Sequence, residues 1–304
     1  LPTSKEYWLK RTKEIVAKSE TNEDAVVKEI GEIYQHATKQ LEKDLQAFYG
    51  KYATETGLSI QQAKKKIKKA DAKNFRAEID YFVKNKHDLT DREIEQWRML
   101  RTKFNITRLD LLINEMDAKL IDLYGKQDST MRGKLKLIGK KVTKSVEKMF
   151  IDSDIVGDFT RLPDTEIEQI VNFPWSGAEF SDLLWGHKDQ LVKSLRKNIT
   201  IGLIRGDSVQ DMARALRKEV GNSVYASERL IRTETNHVMN ESTLKSYEDN
   251  GLTHYEFVAN IDEKTSNVCK RHDGNIYKLS ERRTGVNASP LHPNCRSYSV
   301  PVVD

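Results

Sequence analysis

The chain has 304 residues, 32% charged and 38% hydrophobic, with a mean hydropathy of −0.67; this allows two ordinary domains or one large one and excludes a disordered composition. No stretch nears 18 consecutive apolar residues, the opening LPTSKEYWLK lacks the apolar core of a secretory signal, and two cysteines cannot build a disulfide scaffold, so a membrane anchor and an oxidising compartment are not expected. The net charge of +5 is uneven: residues 1–150 carry 32 Lys+Arg against 23 Asp+Glu, and residues 151–304 carry 19 against 23.

Fifteen glycines and six prolines are few for this length, which favours long helices. From Trp8, the positions Ile15, Val26, Ile30, Ile33, Tyr34, Ala37, Leu41, Leu45 and Phe48 mostly recur at three- and four-residue steps, the period of a helix with one apolar face. Ser59 with Gln62 reads as a capping box opening a short helix with Ile60, Ala63 and Ile67 on one side. Thr90 with Glu93 reads as a second box. Behind it Ile94, Trp97, Leu100, Phe104, Leu109, Leu112, Met116, Leu120 and Leu123 keep helical spacing for over thirty residues, as in a helical hairpin or stalk.

The basic residues of this half fall into two clusters. One holds Lys64, Lys65, Lys66, Lys68, Lys69, Lys73 and Arg76; the other holds Arg132, Lys134, Lys136, Lys140, Lys141, Lys144 and Lys148. Such clusters can neutralise phosphates without reading sequence. A solvated helix face is the plainer reading, and no base-reading motif is present.

The stretch Asp152–Trp175 is acidic and carries Pro163 and Pro174, so a domain transition is expected there. Helices then follow from Ser181 or Asp182, from Ser208 with Asp211, and from about Ser223 to Asn250, where Gly251 is placed as a C-terminal stop. The last fifty residues change character. HYEFVANI (254–261), NIYKL (275–279) and SYSVPVV (297–303) read as short strands between loops. The fold class expected is mainly α: a basic, long-helix region at 1–150, a linker and helical region at 151–222, and a small C-terminal α+β module at 223–304.

Both cysteines lie in that module. Cys269 and His272 form C-x2-H, and His292 and Cys295 form H-x2-C. Two tight loops offering two ligands each match the tetrahedral Cys2His2 set of a structural zinc site. The alternatives are two buried free cysteines with unrelated histidines, or a Cys269–Cys295 disulfide. Four protein ligands would leave no open position for metal catalysis, and no phosphate loop or nucleophile elbow occurs. On the helix over 223–250, Arg229, Arg232 and Asn236 share one face, and Thr233, Asn236 and Asn240 share another. Arg232 and Glu234 are expected to pin the C-terminal loops. An ADP-ribosyltransferase site would need an arginine on a strand and a Glu-x-Glu pair elsewhere, whereas here Arg232 and Glu234 lie two apart on a helix.

From about Trp175 onward the chain resembles the phage Mu F-like minor head, or head morphogenesis, proteins of tailed phages. The matching pieces are WSGAEFSDLLW (175–185), ITIGLIRGDSVQDMARAL (199–216), ERLIRTETNHVMN (228–240), Asp262 with Thr265 before Cys269, DGNIYKL (273–279) and PLHPNCRSYSVP (290–301). Trp8 with Arg11 and the Lys-rich helical half are similar to forms from phages of Gram-positive hosts. The resemblance implies a non-enzymatic virion protein inside the capsid near the portal, assembled in the host cytoplasm. Its implied partners are the portal protein, the major capsid protein or scaffold, and double-stranded DNA during packaging or delivery. It places Cys269, His272, Asp273, Gly274, His292, Pro293, Cys295 and Arg296 in the family's loop pair; where many members carry C-x2-C and end in C-R-C, this chain has His272 and Ser297. Two other functions fit the same module: an effector or toxin using it as a carrier, for which an enzymatic domain would be expected after it, and a zinc-dependent nuclease.

Overall fold

In a computed structural model, residues 4–54, 57–86, 89–102, 107–153 and 159–303 are described. They form nine α-helices and one three-stranded sheet: α1 (Lys5–Tyr52), α2 (Ile60–Ala63), α3 (Lys69–Asn85), α4 (Asp91–Arg101), α5 (Arg108–Ile151), α6 (Asp164–Asn172), α7 (Phe180–Arg205), α8 (Val209–Asp249), β1 (His254–Val258), α9 (Asn267–His272), β2 (Ile276–Lys278) and β3 (Tyr298–Val302). The mainly α class with a small C-terminal sheet is as expected. Two compact units are present, each drawn from separate stretches of chain: Leu1–Lys28 with Thr130–Leu183 and Ser227–Asp304, and Glu29–Ser129 with Leu184–Ala226.

The first unit carries the sheet. Its strands run antiparallel in the order β2-β1-β3, with His254 opposite both Lys278 and Val302. One continuous core joins Trp8 and Ile15 of α1, Ile138, Val142, Val146, Met149 and Phe150 of α5, Met239, Leu244 and Tyr247 of α8, and Tyr255, Leu279, Tyr298 and Val300 of the module. The α5 set recurs every three or four residues, so a single face of that helix enters the core. Phe150 anchors the junction, with ring centroids 5.4 Å from Trp8 and 5.7 Å from Tyr247.

The second unit is helical. Glu93 closes the box with Thr90, accepts an ion pair from Lys86 at 3.1 Å, and lies against Gly125 of α5. Lys188 of α7, only 2% exposed, bonds Asp117 at 2.9 Å and Gln96 at 2.8 Å. A buried ammonium needs such partners to stay charged.

Both expected capping boxes are present. Several boundaries differ from the sequence reading. The apolar run over 94–123 belongs to two helices: α4 stops at Thr102, and α5 restarts where the Asp110 amide donates to Thr107 Oγ1 and the Thr107 amide donates to Asp110. Periodicity survived the break and concealed it; Phe104 lies outside the described residues. The expected helix from Ser223 is the second half of α8, because a lone Gly221 without proline costs only about 1 kcal/mol. Helix α2 stops before Ile67. Helix α6 follows Pro163 inside the expected transition, and α9 occupies what reads as a loop.

Candidate metal centre

Two loops converge beside β1. Ser266 caps α9 by accepting the Cys269 amide at 3.2 Å, which fixes the buried Cys269 in the first turn. After α9, Gly274 turns the chain at φ +77° and donates its amide to Phe257, a backbone conformation suited to glycine. The second loop is tied to α8. Asn236 and Asn240 both donate to the Ser297 carbonyl, at 3.1 and 3.2 Å; Thr233 accepts the Asn294 amide, and Ser289 donates to Asn236. Asn294 adopts φ +59°, and the Cys295 amide returns to the His292 carbonyl. This turn folds His292 back over the buried Cys295.

The result brings Cys269, His292 and Cys295 together, with one ligand atom from each lying within 4.8 Å of the others. The two sulfurs are 3.6 Å apart, and Cys269 Sγ is 3.2 Å from His292 Nε2. A tetrahedral zinc with its usual bond lengths separates two sulfurs by about 3.8 Å and a sulfur from a nitrogen by about 3.5 Å. His292 Nδ1 lies 2.8 Å from the Pro293 carbonyl, so Nδ1 carries the proton and Nε2 turns its lone pair toward the thiols. Hydrogen bonding from Cys269 holds the Cys295 thiol well below its ordinary pKa, and the same bond raises Cys269. A Cys-His-Cys set that can bind a metal ion is what the chain presents.

His272 does not join it. Its Nδ1 lies 2.8 Å from the Tyr277 hydroxyl, and its ring packs against Phe257 at 5.6 Å. The expected fourth ligand is instead held by the aromatic side of the sheet. Ser266 Oγ stands 2.8 Å from His292 Nε2, and Ser289 Oγ stands 3.2 Å from Cys295 Sγ, so hydroxyls rather than imidazole border the fourth side.

The expected pinning of the C-terminal loops by Arg232 and Glu234 is corrected. Arg232 points to α1, 3.4 Å from Glu23 and 3.8 Å from Asp24. Glu234 accepts the Trp175 indole N–H at 3.2 Å; burial pushes its carboxyl up to about 7, against the smaller lowering by that bond. Trp175 also stacks on His237, which burial lowers to about 4. The loops are held by Thr233, Asn236, Asn240 and Glu241, the last through Arg282 at 3.1 Å. The shared face of three of these was visible in the sequence; Ser266, Ser289 and Glu241 had no signal.

The basic clusters divide. Lys64, Lys65, Lys66, Lys68 and Lys69 are exposed around α2 and the start of α3. On α5, Lys136 pairs with Glu168, Lys140 with Asp164 and Lys148 with Asp152, while Arg132 bonds Asn172. Lys134 is half-buried, and Lys141 and Lys144 are exposed.

Residues 193–300 match the model of the family described as Phage Mu protein F like protein. The resemblance read from the motifs holds over that segment. Over 152 residues the chain is also 29% identical to the NAD(+)--arginine ADP-ribosyltransferase EFV of Enterococcus faecalis (strain ATCC 700802 / V583), an alignment covering 45% of this chain and 31% of that relative. The chain thus spans under a third of the relative's length. No solved structure matches it. Among the described residues no helix is long and apolar enough to cross a membrane.

Proposed function

From the Mu F-like segment at 193–300, we propose that this chain is a non-enzymatic minor head protein of a tailed bacteriophage, sited inside the capsid near the portal. The carrying observation is the family match, which falls on α7, α8 and the module built around the Cys-His-Cys set. Its partners are the portal protein, with the major capsid protein or scaffold during assembly in the host cytoplasm. The basic helical half contacts duplex DNA during packaging or delivery. The metal is zinc, since two thiols and an imidazole suit it where magnesium or calcium would want oxygen ligands. Its role is to lock two loops that have little apolar core of their own, so metal affinity is also folding energy.

The test is mass spectrometry of purified virions before and after DNA release. A few copies per capsid are expected, and complete absence from virions would overturn the reading.

The Enterococcus faecalis relative favours a second reading, a carrier module within an effector. Virion mass spectrometry separates the two, since absence of the chain from purified virions would favour the effector.

A further inference from the structure

Within the first unit, α1 and α5 enclose a groove of about 360 Å³. Its floor is Ile15, Ile138 and Val142, all buried, and its rim carries Lys18 from α1 with Lys141 and Lys144 from α5. No carboxylate lines it. Among the described residues, Lys18 and Lys144 form no ion pair, and Lys141 meets only the neutral Asn22 Oδ1, at 2.8 Å.

This contrasts with the rest of α5. Lys136, Lys140 and Lys148 each face a carboxylate, two of them on α6. The fold therefore sorts one sequence cluster into a neutralised side and an unneutralised one, and adds Lys18, which lies 123 residues before Lys141 in the chain. Three like charges around a concave surface repel one another and concentrate positive potential there. An anion relieves that repulsion.

We propose that Lys18, Lys141 and Lys144 form a phosphate-binding groove that takes the backbone of double-stranded nucleic acid. Lysine presents hydrated point charges suited to phosphate, without the planar fork that reads guanine. No aromatic side chain lines the groove, so there is no platform for stacking unpaired bases. Duplex phosphates are the ligand left by those two exclusions. Lys141 and Lys144, three apart on one helix, lie side by side about 5–6 Å apart at Cβ, and Lys18 faces them across the groove.

This assignment rests on the reading of the basic helical half as a DNA-contacting element, and the experiment separates the two. Anisotropy of a labelled 30-bp duplex is titrated with the full chain from 50 to 200 mM salt. Three phosphate contacts contribute a slope of about −2.7 in log K against log salt, or about 40-fold in affinity over that range. The combined variant Lys18→Gln, Lys141→Gln, Lys144→Gln is expected to lose that slope with unchanged circular dichroism. The paired-lysine variant Lys136→Gln, Lys140→Gln is expected to keep it, and Lys64→Gln, Lys65→Gln, Lys66→Gln probes the other basic cluster. If the groove variant binds as wild type while the Lys64–Lys66 variant does not, the groove is overturned and DNA contact by the helical half stands. If the wild-type chain binds no duplex, both fall. Displacement by inorganic phosphate at matched ionic strength would overturn the nucleic-acid assignment in favour of free phosphate.

Discussion

Glu234 and His237 lie one turn apart on α8 beneath the Trp175 indole, and they titrate in opposite senses. Burial raises Glu234 from 4.5 to about 7. Between those values the folded chain holds a proton that the unfolded chain has released, so this contribution is fully present below pH 4.5 and is lost as pH rises through 7. Burial lowers His237 from 6.5 to about 4. Its contribution is present above pH 6.5 and is lost as pH falls through 4. Either displacement corresponds to roughly 3 kcal/mol between protonation states, and in the overlapping window the two offset each other. Glu234→Gln keeps a carbonyl acceptor for the indole but does not titrate. Relative to wild type, its stability should therefore climb by about 3 kcal/mol between pH 4.5 and 7.5. At pH 8 the net gain should be smaller, because the new amide N–H₂ is buried without a partner at a cost of about 1–3 kcal/mol. Urea unfolding followed by circular dichroism, at half-unit pH steps, reads the difference directly. A variant-minus-wild-type difference that stays flat across pH would refute the argument that the carboxyl is neutralised by burial.

Two further perturbations discriminate between local explanations. Cys295→Ser should abolish zinc binding and lower Tm, whereas His272→Ala should retain zinc at one equivalent by elemental analysis, because His272 belongs to Tyr277 and Phe257; loss of metal in both variants would restore the four-ligand site. Gly125→Ala places a Cβ 2.0 Å from Glu93 Oε1; displacing this buried carboxylate from Thr90 and Lys86 should destabilise the second unit by about 1–3 kcal/mol, and an unchanged urea midpoint would contradict the packing.

Much of the architecture was legible because it is local. The boxes at Ser59 and Thr90, the turn at Gly251 and the strand at 254–258 depend on residues within one or two turns of each other. Apolar spacing likewise identifies the helix faces at Ile138, Val142 and Val146. What periodicity does not record is where a helix stops. The phase of the stripe continued from Leu100 to Leu109, although α4 and α5 are separate, and a glycine within α8 did not end it.

The candidate site shows the same division. C-x2-H and H-x2-C named four candidate ligands in the sequence alone, along with the face carrying Thr233, Asn236 and Asn240. Only tertiary structure chose among the four, because a histidine follows the partner that desolvates and bonds it, and His272 found Tyr277 on β2. Only tertiary structure sent Arg232 to α1 and Glu234 to Trp175, two positions apart in the sequence but about 160° apart around the helix. The lysines divide for the same reason. Their number is written in the sequence, but whether a carboxylate stands opposite depends on α6 folding back along one side of α5 and leaving Lys141 and Lys144 facing α1.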